Sequence, residues 1–300
     1  MAGFSALRGS VRRVIMGLAT VLGIARRGFF IPYRYAGTVP PPGRRPPYGA
    51  LDGIFQAHKD IFASLINSVE AHADAMAAIG NEPPPAPRWR QDWFPGMDAA
   101  VAYAMVLKHC PGRIIEIGSG HSTRFYVRAV TDGRVDCSVT AIDPAPRASI
   151  DELGINVIRS TVHEAGAACF TGLGAGDILS IDSSHILMPG SDVDFLFNVI
   201  LPILPPGVLI QIHDIFLPED YPRAWSWRGY NEQLAVAALI QGGGYQILWS
   251  SRFVKKYMQD ELQDTVLSRL PISEGAYESS VWLMKRDISH VWLRKKGPPL

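Results

Sequence analysis

The chain has 300 residues, 47% hydrophobic and 19% charged, which suits one large α/β domain with attachments and excludes a disordered or fibrous chain. Its three cysteines, Cys110, Cys137 and Cys169, lack CxxC or CxxH spacing and exclude a disulfide framework; they read as buried free thiols in a reducing, cytoplasmic setting. The net charge of +1 hides an asymmetry: residues 1–50 hold eight arginines and no acid, while the remainder carries 21 basic and 28 acidic residues.

Arg12 and Arg13 precede the apolar run Val14–Ala25, and Arg26 and Arg27 follow it. Twelve helical residues span about 18 Å, short of the ~30 Å hydrocarbon core, so the run does not predict a transmembrane span. Arginines directly after it and the lack of an A-x-A site argue against a cleaved signal. The expected role is a helix packed on its own domain or on a second copy in a homo-oligomer. The alternative is an interfacial helix, with residues 1–30 in peripheral contact with an anionic membrane. Residues 38–50, TVPPPGRRPPYGA, read as an extended connector, which closes a basic leader over 1–50. Helical spacing of apolar residues then predicts one helix over 51–79, stopped by Gly80 and prolines 83–85, so that 51–97 is a helix and linker.

A helix over Met97–Cys110 opens the main domain, 98–290, and a basic tail occupies 291–300. Strands are expected at Ile114–Ile117, Ser138–Ile142, Asn156–Arg159, Asp177–Ile181, Val208–His213, Tyr245–Trp249 and Val281–Lys285, and helices at Thr123–Val130, Val193–Leu201 and Asn231–Gln241. This alternation implies an α/β fold: a Rossmann-like, seven-stranded, mostly parallel sheet with helices on both faces, plus an N-terminal helical extension. Such sheets bind ligands beyond the carboxyl ends of their strands. Those ends carry Glu116–Gly120, Asp143, Ser160–Glu164, Asp182–His185 and His213–Asp214. Each of the five holds an acid, a costly choice unless something cationic or rich in hydroxyls sits there.

In RIIEIGSGHSTRF, Gly118 and Gly120 permit a tight turn and close backbone approach, and Ser122 and Thr123 can cap the next helix. A dinucleotide turn needs a third glycine, and Glu116 would repel a pyrophosphate but suit an ammonium. Asp143, 25 residues after Gly118, stands where an acid takes ribose hydroxyls. An adenosine joined to a cationic amino acid is S-adenosylmethionine (SAM). The segments EIGSGHSTRF, AIDPAPR, DILSIDSSH and GVLIQIHDIFLPEDYP together resemble class I SAM-dependent methyltransferases over roughly residues 85–290. More narrowly, they resemble the bacterial type with GSGxST and HDI motifs, related to metal-dependent O-methyltransferases. The resemblance implies that Glu116, Gly118, Ser119 and Gly120 line the methionine part of SAM, that Asp143 holds the ribose, and that 161–164 border the adenine.

At the reacting end, the resemblance implies a divalent metal held by Asp182 and Asp214. Ile215 stands where an Asn would be expected and His213 where a Glu would be, so His213 becomes the third ligand and Mn²⁺ fits better than Mg²⁺. Without a metal, His213 or His185 is the general base, beside Asp182. His58, His72, His109, His163 and His290 show no ligand spacing. Residues 216–233 are rich in aromatic and polar groups, and Trp225, Trp227, Arg228, Tyr230, Asn231 and Glu232 are expected to contact the acceptor, with Trp89 and Trp93 facing the same cleft. The expected activity is O-methylation of a small-molecule or glycan hydroxyl. Two alternatives are a nucleotide-dependent oxidoreductase or epimerase, which lacks its Tyr-xxx-Lys pair here, and a non-catalytic SAM-binding module. Nucleic acid is not an expected partner, because the basic residues gather in the leader rather than around a cleft.

Overall fold

A computed structural model describes residues 2–41 and 43–287; the expected basic tail and His290 lie outside the described residues. The leader forms α1 (Ala2–Val21), which ends at Gly23 in a left-handed conformation. It lies loosely on the body. Met16, Ala19 and Thr20 are half-buried, while Val11, Val14, Ile15, Leu18 and Leu22, spaced along one helical face, stay exposed. No helix among the described residues is long and apolar enough to cross a membrane.

The single helix expected over 51–79 is three: α2 (Gly49–Gln56), α3 (Lys59–Glu70) and α4 (Ala73–Ala78). The breaks fall at His58 and His72, whose backbones leave helical geometry, and the His58 ring hydrogen-bonds to the carbonyl of Ile54. Apolar spacing survives because each bend keeps the apolar side on the body. Phe55 stacks on Phe253 at 5.4 Å, and Phe62 meets Phe253 and Trp249 edge-on, within the same core as the sheet. The next helix, α5 (Gly96–His109), is buried over most of its length, its alanines allowing close approach to α6 (His121–Gly133).

The seven expected strands all form: β1 (Arg113–Ile117), β2 (Ser138–Ile142), β3 (Asn156–Ile158), β4 (Ile178–Ile181), β5 (Leu209–Ile212), β6 (Tyr245–Ser250) and β7 (Val281–Lys285). Their order is β3-β2-β1-β4-β5-β7-β6, parallel except for β7, which runs antiparallel to both neighbours. The central strands read as continuous apolar runs because both faces are covered. The expected helix over 193–201 is a helical stretch from Asp192 to Ile203 that passes through a π turn at Leu196–Ile200. β1 sends its chain through α6 to β2 on one side, while β4 pairs on the other. The crevice opens where the winding reverses, and it places the ends of β1, β4 and β5 side by side. The thiols depart from expectation: Cys110 is exposed and Cys137 and Cys169 are half-buried, because each sits at an element end rather than in its apolar centre.

Candidate active site

A cavity of about 390 Å³ opens beyond the ends of β1, β2 and β4. Gly118, Ser119, Asp143, Thr161, His163 and Asp182 are among the residues that line it. Asp143 accepts hydrogen bonds from the backbone N–H and hydroxyl of Ser119 (2.7 and 3.1 Å) and from the N–H of Ala145. It therefore stiffens the turn while keeping an edge on the cavity. Gly118 adopts φ +75°, and a Cβ there would lie 2.1 Å from the Asp182 carbonyl oxygen. Only glycine lets the β1 turn settle onto the end of β4. Arg147, absent from the sequence expectations, also lines this cavity and stacks its guanidinium 4.3 Å from the Trp93 ring centre. Trp89, expected at the cleft, instead packs in the core against Phe125 and donates to the Met76 carbonyl.

Glu116 lies behind the turn, fully buried, with its two oxygens accepting the Ser122 and Thr123 hydroxyls. Thr123 in turn accepts the Gly120 N–H at 2.9 Å. Glu116, Gly120, Ser122 and Thr123 thus brace the turn from beneath and do not form the cavity wall, which begins at Ile117. Burial pushes the Glu116 carboxyl up to about 8, against the lowering effect of its two hydroxyl partners. The folded protein then keeps a proton that the unfolded chain releases above the ordinary value of 4.5. Stability should fall as pH rises through that window, by on the order of 4 kcal/mol from this group. Urea midpoints recorded across the window are expected to show the fall in the wild type and a flatter profile in Glu116→Gln. A slope unchanged by the substitution would assign the pH dependence elsewhere.

The ends of β4 and β5 bring together two imidazoles and four carboxylates. His185 places Nε2 3.1 Å from Asp182 and 3.5 Å from Asp214, while its Nδ1 contacts Glu232 at 2.8 Å. His213 places Nδ1 3.6 Å from Asp182 and 3.5 Å from Asp214, with Nε2 3.3 Å from Asp98. Asp98 is held on the first turn of α5 by the N–H groups of Ser279 and Ser280, both at 2.9 Å. His185 and Asp214 have positive φ, 61° and 57°. Non-glycine residues pay for that conformation, and it persists only where surrounding contacts enforce it. Here the backbone N–H groups of Asn231 and Glu232 hold the His185 carbonyl.

Electrostatics follow from this crowding. Burial disfavours a charged imidazole, but Asp182 and Glu232 outweigh it at His185, and Asp214, Asp182 and Asp98 outweigh it at His213, so both rings are held well above the usual histidine range. Burial would raise Asp182, yet the two imidazoles hold its carboxyl well below the usual range. The site therefore demands positive charge among its carboxylates, from imidazolium protons or from a bound cation. The trio with donor atoms all within 4.8 Å of one another is Asp182, His185 and Asp214. His213, expected as the third donor, stands beside that trio, and neither of its buried ring nitrogens makes a well-formed hydrogen bond. Such an unsatisfied polar ring needs a partner. Two carboxylates and an imidazole backed by a carboxylate fit a divalent ion that accepts nitrogen, such as Mn²⁺.

The segment expected to meet the acceptor divides. Trp227, Arg228, Tyr230 and Asn231 line a second cavity of about 770 Å³, whose opposite wall is the leader. Glu232 does not reach that cavity; it is fully buried as the partner of His185. Asn231 gives its amide to the backbone of Leu187 in both directions, latching the two loops together. Trp225 packs among Phe216, Tyr230 and Tyr277, with the Arg228 guanidinium 4.1 Å from its ring centre. The same guanidinium reaches Tyr230 Oη at 2.9 Å and Asp214 at 3.9 Å, and the Tyr230 ring lies 4.5 Å from that of His185. Sequence reasoning passed over Asp98 and the leader residues of this wall. An acid in the first helical turn is an ordinary preference, and nothing local marks it as a histidine partner.

Residues 115–215 match a family model described as a methyltransferase domain. No curated protein matches the chain. Among solved structures it is similar to the O-methyltransferase from Bacillus cereus in complex with SAH, at 11% identity over 74% of this chain and 91% of that one, with a TM-score of 0.37. It is similar to the SAM complex of TomG from Streptomyces achromogenes, an O-methyltransferase involved in tomaymycin synthesis, at 13% identity, 74% and 89% coverage and a TM-score of 0.40. It is also similar to MycE of the mycinamycin biosynthetic pathway, in complex with Mg, SAH and mycinamycin VI, at 19% identity, 63% and 47% coverage and a TM-score of 0.35.

Proposed function

We propose that this chain, which carries a methyltransferase domain over residues 115–215, transfers the methyl group of SAM to a hydroxyl oxygen of a small molecule. One observation supports this reading above the others. Asp182 belongs both to the wall of the cavity beyond β1 and β2 and to the cluster of imidazoles and carboxylates. A donor seated on Gly118, Ser119 and Asp143 would bring its methyl to the face where a proton can be handled. The acceptor oxygen attacks the methyl carbon, the carbon–sulfur bond breaks, and sulfur leaves as a neutral thioether. His213 can take the hydroxyl proton at Nδ1 once a bound cation replaces its own proton as the positive charge among these carboxylates; its Nε2 faces Asp98. Carboxylates around an imidazole stabilise the imidazolium that forms. Alignment of oxygen, carbon and sulfur supplies the rest, about 7–11 kcal/mol.

Asp182, His185 and Asp214 would hold a divalent cation, and Glu232 would orient the His185 ring toward it. Such an ion supplies Lewis acidity that lowers the acceptor hydroxyl's pKa and offsets the surrounding carboxylates. Calorimetric titration with SAH and with NAD, followed by SAM turnover on hydroxylated phenols and glycans with Mn²⁺, Mg²⁺ or chelator, tests the reading. Expected are SAH binding, no NAD binding, and turnover highest with Mn²⁺. Binding of NAD in place of SAH would overturn the reading.

A further inference from the structure

The second cavity joins the leader to the reacting cluster. Ser184, two residues after Asp182, lines both cavities, so the larger one opens onto the place where the methyl would be delivered. Its leader wall has an unusual orientation. The apolar stripe of α1, formed by Val11, Val14, Ile15, Leu18 and Leu22, points outward and is exposed. The face turned to the cavity carries Arg12, Arg13, Met16 and Thr20, and Arg27 joins them beyond the helix. A helix that merely packed on the body would bury its apolar stripe; here Arg12, Arg13 and Arg27, though exposed, border the cavity in its place.

The charge of these arginines is not neutralised by the described part of the protein. Arg228 in the same wall faces Asp214, but among the described residues no carboxylate pairs with Arg12, Arg13 or Arg27. Arg13 makes one hydrogen bond, to the Ser226 carbonyl at 3.2 Å, which ties the leader to the acceptor loop. The first 50 residues contain no acid to neutralise them. Opposite stand apolar and aromatic groups: Ile186, Met188, Trp227 and Tyr230, with Phe29 and Phe30 closing the leader side. Guanidinium groups grip phosphate, sulfate or carboxylate oxygens with paired, charge-assisted hydrogen bonds.

We infer that this cavity is the acceptor chamber and that it selects an anionic amphiphile: Arg12, Arg13 and Arg27 hold its anionic group, its apolar part lies along Met16, Phe30, Met188 and Trp227, and its hydroxyl reaches the Ser184 end. The inference rests on the methyl-transfer reading for the identity of that end, but not for the binding itself. The leader is then part of the acceptor site rather than an appendage, and specificity is divided between residues near the start of the chain and the loop after β5.

The test uses the full chain and dodecyl phosphate below its micellar concentration, with dodecyl maltoside as the uncharged and inorganic phosphate as the tail-less control. Calorimetry is expected to show dodecyl phosphate binding at least about tenfold tighter than either control. The triple variant Arg12→Gln, Arg13→Gln, Arg27→Gln is expected to lose about tenfold or more of that affinity, and the triple Lys variant to retain most of it. SAH affinity, read on the same samples, should be equal in all three proteins. Equal dodecyl phosphate affinity in the wild type and the Gln variant would overturn the inference, whereas failure of the wild type to bind SAH would overturn only the methyl-transfer reading. Flotation with phosphatidylcholine vesicles, with and without phosphatidic acid, identifies the source of the amphiphile. Wild-type flotation that needs both phosphatidic acid and the arginines supports a bilayer lipid; dodecyl phosphate binding without flotation supports a soluble one.

Discussion

Asp182→Asn is expected to lower turnover about 10²–10⁴-fold, the range general acid–base groups supply. The residue is the meeting point of the two halves of the site. Its side chain is 30% exposed, against 4–5% for the two imidazoles behind it, so it is the part of the cluster that the donor cavity sees. The carboxylate's charge is held firmly by His185 and His213. An amide of the same size removes that charge, leaves Asp214 as the one carboxylate beside both imidazoles and weakens the proposed cation site. SAH affinity should change by less than about tenfold, because the neighbouring cavity residues Ser119 and Asp143 keep their own hydrogen bonds. That split between binding and turnover is the informative result. A variant that turned over like the wild type would remove Asp182 from the reaction.

Gly118→Ala carries the second large effect, expected to destabilise the fold by about 2–4 kcal/mol and to reduce SAH affinity at least tenfold. Two penalties combine. The residue is at φ +75°, where a side chain costs about 1–2 kcal/mol. Its Cβ would also overlap the backbone carbonyl of Asp182, an atom that cannot swing aside as a flexible side chain can. Gly154→Ala separates the penalties, since that glycine shares the left-handed backbone, φ +67°, but meets nothing within 4 Å. Thermal unfolding of the two variants with and without SAH should show a small loss for Gly154→Ala and a larger one for Gly118→Ala. Gly118→Ala should also lose stabilisation by SAH.

The seven strands were legible in the sequence because a buried parallel strand must be apolar on both faces, and Ile114–Ile117, Ile178–Ile181 and Leu209–Ile212 satisfy that locally. Strand ends follow from strands, so Asp143, Asp182, His185, His213 and Asp214 could be named as site residues without knowing the order of the sheet. The helices over 51–79 were misread as one, because apolar spacing records which side faces the core and continues across a bend that preserves that side.

What residue type and spacing determined here is the set of chemical groups at the crevice: glycines in the turn, acids at the strand ends, two histidines beside them. Which of these touch was decided by tertiary structure. The pairings Asp98–His213 and Glu232–His185 join elements distant in the chain, and the retreat of Glu116 behind its turn depends on how α6 docks. The leader shows the same division. Its arginines and its apolar run are plain in the sequence, but the rotation of α1 that turns Arg12 and Arg13 toward the loop after β5 and Val14 and Leu18 away is set by long-range packing, which local periodicity does not encode.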